Sequence, residues 1–106
     1  ARIGPIRDRW KGNLVLKGVA SEEDADAAVR LGLDGVIVSN HGGRQIDAGE
    51  SAIRSLLPIA AKYRGKLRVM IDSGLRTGPD VARAVACGAE FTFLGRTFMY
   101  SVAALG

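Results

Sequence analysis

Four short apolar runs recur along the chain: Leu14–Leu16, Gly35–Val38, Leu67–Ile71 and Phe91–Leu94. Each is bounded by glycine or polar residues and is rich in branched or aromatic side chains. That is the signature of a strand buried in a parallel sheet. Helical patterns separate the runs. Ser21 is a good N-cap, and Glu22, Glu23 and Asp24 complement the positive end of the helix dipole. Ala25, Ala28 and Val29 then form an apolar stripe that stops at Gly32. Ile53, Leu56, Leu57 and Ala60 repeat at helical spacing, with Pro58 expected to kink or split that helix. A third helix begins at Thr77-Gly78-Pro79-Asp80 and runs through Val81, Ala84 and Val85 to Gly88. A short helix follows the fourth strand, and residues 1–13 read as the tail of a preceding helix and a loop.

Strand and helix in strict alternation imply βαβ units, a parallel sheet and right-handed crossovers. Two architectures answer to this pattern, an open doubly wound sheet and a (β/α)8 TIM barrel, of which four units are half. Residues 1–106 are expected to form one α/β segment with no internal boundary. A half-barrel has two open sheet edges and an uncovered inner face, so it needs a second half, a dimer partner, or tolerance of marginal stability. The composition, 47% hydrophobic and 25% charged, is that of a soluble globular protein.

The net charge of +4 admits an anionic ligand, but no Lys/Arg run with interleaved aromatics supports a nucleic-acid groove. Cys87 is the single cysteine, so an internal disulfide is excluded; its Ala-rich surroundings predict a buried thiol. A lone thiol fits a reducing compartment, and neither a membrane helix nor a secretory leader is visible. A cytoplasmic location is expected, with attachment at a membrane surface also compatible.

In both parallel architectures ligands bind at the C-terminal ends of the strands, and the chemistry-bearing residues gather there. Lys17 follows the first strand, Ser39-Asn40-His41-Gly42-Gly43-Arg44 the second, Asp72-Ser73-Gly74-Leu75-Arg76 the third, and Gly95-Arg96 the fourth. His41, the sole histidine, is a candidate base near neutral pH. Arg44 can clamp a carboxylate in two-pronged fashion. The plain alternative is a loop histidine beside a surface arginine. Gly74 and Gly95 allow close backbone approach, and Arg76 and Arg96 supply charge, as a phosphate site needs; two ordinary turns with exposed arginines are the alternative. Neither motif is a P-loop or a GxGxxG fingerprint. Lys17, at the end of a buried strand, needs an anionic partner, either a cofactor atom or a protein carboxylate. No metal site is expected.

Leu14-Val15-Leu16-Lys17-Gly18, the segment from Ser39 to Asp47, Asp72–Arg76 and Gly95-Arg96 together resemble the FMN-dependent α-hydroxy acid dehydrogenase/oxidase family, which includes glycolate oxidase, L-lactate dehydrogenase and mandelate dehydrogenase. The resemblance runs from about Arg9 to Gly106 and corresponds to the C-terminal half of a (β/α)8 barrel. It implies oxidation of an L-2-hydroxy acid to a 2-oxo acid by an FMN flavoprotein. In that scheme His41 is the base, taking a proton from the hydroxyl or from the α-carbon, and Arg44 binds the substrate carboxylate. Lys17 stands near the flavin N1–C2 carbonyl edge, Ser39 contacts the flavin, and Asp72, Ser73, Gly74, Leu75, Arg76, Gly95 and Arg96 hold the ribityl-phosphate end. Implied partners are a small 2-hydroxy carboxylate, the N-terminal half of the barrel, and further copies in a homo-oligomer; nucleic acid is not among them. Ser73 departs from the glycine common at its place. The tyrosines that relatives direct at the substrate belong to the N-terminal half, which is outside these residues. A different FMN- or phosphate-binding barrel, such as a type 2 isopentenyl-diphosphate isomerase-like enzyme, shares the late phosphate site, and a non-catalytic fragment is the third reading. The His41/Arg44 pair separates the first from the second, because it suits a carboxylate.

Overall fold

The computed structural model describes residues 2–45 and 48–106; Ile46 and Asp47, the end of the Ser39–Asp47 motif, lie outside the described residues. The elements in chain order are α1 (Gly4–Arg9), β1 (Val15–Val19), α2 (Glu22–Arg30), β2 (Gly35–Val38), α3 (Ala52–Tyr63), β3 (Arg68–Ile71), α4 (Gly78–Ala86), β4 (Phe91–Thr92) and α5 (Arg96–Leu105). The four strands form one parallel sheet in the order β1-β2-β3-β4. A doubly wound sheet reverses its strand order at a switch point. Here every strand is added on the same side, which is the winding of a barrel arc.

Cross-strand register explains which residues are core. Leu16, Val36 and Val69 form one row and Val19, Val38 and Ile71 another. Of these, Val19, Val36, Val38, Val69 and Ile71 are almost completely buried, together with Ala25, Ala28, Leu56, Ile59 and Ala60 from α2 and α3. Sheet and helices therefore share one core on the outer face of the arc. The opposite row, Lys17, Ile37, Met70 and Phe91, is less covered, and Phe91 is 56% exposed.

β1 extends beyond its expected end because of a bulge. Lys17 pairs with Ile37 and Val19 with Val38, leaving Gly18 as the extra residue at φ +90°. A bulge shifts the alternation by one. Lys17 thus stays on the inner face inside the strand, while Val19 turns into the core. β4 is shorter than expected, ending at Thr92, although the Phe93 amide still donates to Ile71. Leu67 falls just outside β3, in an isolated bridge with Arg64.

The helix starts follow local chemistry. Ser21 caps α2 by accepting from the Asp24 amide at 3.2 Å. At α4 the Asp80 carboxylate accepts from the Arg76 and Thr77 amides and from the Thr77 hydroxyl. Pro58 does not split α3, which runs unbroken through it. Arg54, whose carbonyl loses its partner, and Pro58 itself are both exposed, so water can serve that carbonyl, while Leu56, Ile59 and Ala60 anchor the buried side. Leu57 and Val85 face outward, more than half exposed, and Val29 is also exposed, so the buried helix faces are narrower than expected. Cys87, expected to be buried, is half-buried at the C-cap of α4.

The N-terminal ends of the strands are clamped. Asp34 accepts from the Leu14 amide at 2.7 Å and from Arg7 at 3.0 Å. Glu90 accepts from the Val69 amide and from Arg68, both at 2.8 Å. The hydrogen bond from Leu14 to Asp34, and that from Val69 to Glu90, hold both carboxyls below the usual carboxylate range.

Candidate active site

At the other end of the sheet β1 and the loops after β2, β3 and β4 open into one cleft of about 1040 Å³. Lys17, His41, Arg44, Asp72, Ser73, Gly74, Leu75, Arg76, Gly95 and Arg96 all line it. Ser39, the remaining candidate, lies beneath, 2% exposed.

His41 sits on a tight turn of unusual hand. Residues 41, 42 and 43 have φ of 57°, 70° and 71°. Left-handed backbone costs an L-residue about 1–2 kcal/mol, and glycine escapes that cost, so a run of three is practical only with two glycines. Asn40 opens the turn and accepts from the Gly43 amide through its side chain at 3.2 Å. Ser39 Oγ accepts from the His41 amide at 3.1 Å. Ser73 Oγ accepts from the Gly42 amide at 3.0 Å, and Arg96 donates to the Gly42 carbonyl at 3.0 Å. The turn is thereby fastened to the ends of β2, β3 and β4.

Lys17 finds its partner within the protein. Its ammonium lies 2.8 Å from Asp72 and donates to Ser39 Oγ at 3.2 Å. Burial pushes the Asp72 carboxyl up, but hydrogen bonds from Lys17, Ser39 and Ser73 outweigh that and hold it below the usual range. Asp72 is thus a protein partner for Lys17, and the lysine remains about half exposed toward the cleft.

Two further groups complete the rim. Thr97 Oγ1 donates to the Arg76 carbonyl at 3.1 Å, joining the start of α5 to the loop after β3. Gln45, Phe93, Leu94, Met99 and Tyr100 also line the cleft. Met99 and Tyr100 lie one helical turn beyond Gly95-Arg96, a spacing that could have located them. Gly18 acts from β1: a Cβ there would stand 3.0 Å from His41 Nε2. Its only sequence signal was a glycine inside an apolar run.

Singly wound βα units with a cationic cleft at the C-terminal rim define a barrel of the kind that binds anionic ligands there. The family model for FMN-dependent dehydrogenase matches residues 1–106, and the chain belongs to that family. It is 54% identical over 101 residues to an L-lactate dehydrogenase of Vibrio parahaemolyticus, covering 95% of this chain and 27% of that one. An L-lactate dehydrogenase of Haemophilus influenzae is 50% identical, with 95% and 26% covered. The structure superposes on mandelate oxidase solved with benzoyl-formic acid at a TM-score of 0.92 and 41% identity, over 98% of this chain and 31% of that one. A mandelate oxidase variant solved with the monooxide FMN adduct gives the same score and identity, over 98% and 33%. The chain thus spans about 27% of the L-lactate dehydrogenase from Vibrio parahaemolyticus. The expected fold, four βα units forming the C-terminal half of a (β/α)8 barrel, stands.

The family's cofactor is FMN, and the donors here fit it. Arg76, Arg96 and the first-turn amides of α5 offer a dianion its partners, and Lys17 offers a cation on the same cleft wall. Among the described residues no helix is long and apolar enough to cross a membrane, and no cluster of metal-ligating side chains occurs.

Proposed function

We propose that the full-length protein bearing this chain oxidises a small L-2-hydroxy carboxylate to the 2-oxo acid with FMN. The observation that carries the reading is the placement of His41, Arg44 and Lys17 on one cleft with the arginines that suit a phosphate. FMN, when bound, accepts the electrons; the side chains bind, orient and move a proton. His41 takes the proton that leaves the substrate, from its hydroxyl or its α-carbon. Arg44 grips the carboxylate with a planar fork. Lys17 would supply positive charge to the flavin, and its pairing with Asp72 keeps it at the rim of β1. Ser39 supports this site from below, and Asp72 to Arg76 with Gly95 and Arg96 would hold the ribityl-phosphate.

L-Lactate, named by the L-lactate dehydrogenases this chain resembles, is the first substrate to test. The remainder of the barrel would cover the inner sheet face and supply further substrate contacts. The protein would assemble as a homo-oligomer and reside in the cytoplasm or peripherally on a membrane. The test is anaerobic mixing of the flavin-loaded full-length protein with L- or D-lactate. Bleaching of the flavin with release of 2-oxo acid from the L isomer alone is expected; a flavin untouched by any short 2-hydroxy acid would contradict the reading. Arg44→Lys should raise KM by roughly 10- to 100-fold, about 1.4–3 kcal/mol of carboxylate binding, and an unchanged KM would remove Arg44 from that role.

A further inference from the structure

We propose that Ser73 is a positioning residue that fixes the His41 turn through a relay of hydroxyls ending on Asp72. This rests on the reading of His41 as the base. Ser73 has φ +77°, a left-handed conformation that disfavours any side chain. A hydroxymethyl group stands there at a conformational cost, and its contacts show what it does.

Ser73 Oγ donates to Asp72 Oδ1 at 2.8 Å, accepts from the Gly42 amide at 3.0 Å, and lies 3.4 Å from Ser39 Oγ. Ser39 Oγ in turn accepts from Lys17 at 3.2 Å and from the His41 amide at 3.1 Å. The proton directions follow. A hydroxyl has one proton and two lone pairs. Ser39 spends both lone pairs on Lys17 and His41, which leaves its one proton for Asp72 or for Ser73. Ser73 accepts from the Gly42 amide, and its proton points to Asp72, which the Lys17 ion pair keeps ionised. Consecutive amides of the turn, His41 and Gly42, are held by serines at the ends of two different strands.

The consequence is geometric. His41 at φ +57° has its ring confined on one side by Gly18, and Gly42 after it is held at both backbone groups, its N–H by Ser73 and its carbonyl by Arg96. Loss of the Ser73 hydroxyl leaves the Gly42 amide without its partner and frees the turn to rotate. A base displaced by a fraction of an ångström loses rate while substrate binding through Arg44 persists.

The experiment uses the flavin-loaded full-length protein with Ser73→Gly, Ser73→Ala and His41→Ala in parallel. Ser73→Gly removes the hydroxyl and relieves the backbone; Ser73→Ala removes the hydroxyl and keeps the unfavourable φ. Both serine variants, compared at equal flavin occupancy, should slow flavin reduction by roughly 10- to 100-fold at unchanged KM. Both should shift the pH profile of that step and speed amide hydrogen exchange at Gly42. A Ser73→Gly variant with wild-type rate and profile would overturn the proposal, as would slow exchange at Gly42 in both variants. If His41→Ala still turns over, the base reading itself has failed; if His41→Ala is dead while Ser73→Gly is normal, only the role of Ser73 has failed.

Discussion

At Gly18 two demands meet on one residue. The backbone has φ +90°, and any Cβ would press on His41 Nε2 from 3.0 Å. Gly18→Ala should therefore destabilise by about 1–2 kcal/mol from the backbone alone and displace the imidazole. In the full-length protein we expect turnover to fall roughly 10- to 100-fold with flavin retained; an alanine variant with normal kinetics would show that the ring does not need this space. Gly42 is similar, since a Cβ there would lie 2.9 Å from Arg96 Nη2. The identity of the site residues was legible in the sequence because each strand ends in its own polar motif. The roles of Gly18 and Ser73 were not. Both depend on contacts between loops that only the register of β1, β2 and β3 brings together.

Among the elements, α2 and α3 carry the packing and the strand ends carry the chemistry. Leu56 on α3 is fully buried against the sheet. Leu56→Ala should cost about 2–5 kcal/mol, seen as a lower denaturation midpoint with the flavin spectrum unchanged below it; a loss under about 1 kcal/mol would mean that the face repacks. The clamps at the far end of the strands make a pH prediction. Asp34 and Glu90 have folded pKa values below the usual range, because the amides of Leu14 and Val69 donate to them. A depressed carboxyl contributes stability that is complete above its unfolded pKa, about 4, and lost as pH falls through the folded value. The unfolding midpoint should thus fall below about pH 4, and more gently in a variant carrying Asp34→Asn and Glu90→Gln. An identical acid slope in both proteins would refute the clamp. Existence and order of the elements were legible from periodicity. Their ends were not: a bulge lengthened β1, and solvent exposure of Arg54 and Pro58 let α3 continue where a break was expected.

On the scale of the whole molecule, the arc β1-β2-β3-β4 buries its outer face under helices and leaves its inner row partly bare. Phe91, Phe93, Phe98, Met99 and Tyr100 are each 40% exposed or more, concentrated around β4 and α5. These 106 residues expressed by themselves should self-associate and bind a hydrophobic dye; a monodisperse, dye-silent monomer would contradict an incomplete barrel. Barrel winding was one of two architectures compatible with the sequence, because alternation alone does not report on which side each strand is added. The catalytic reading of the rim is the central claim, and anaerobic flavin reduction by L-lactate in the full-length protein tests it most directly. With His41→Ala the flavin should remain bound and its reduction should slow by about 10²–10⁴-fold relative to the unaltered protein. Reduction at the unaltered rate would contradict the assignment of His41 as the base.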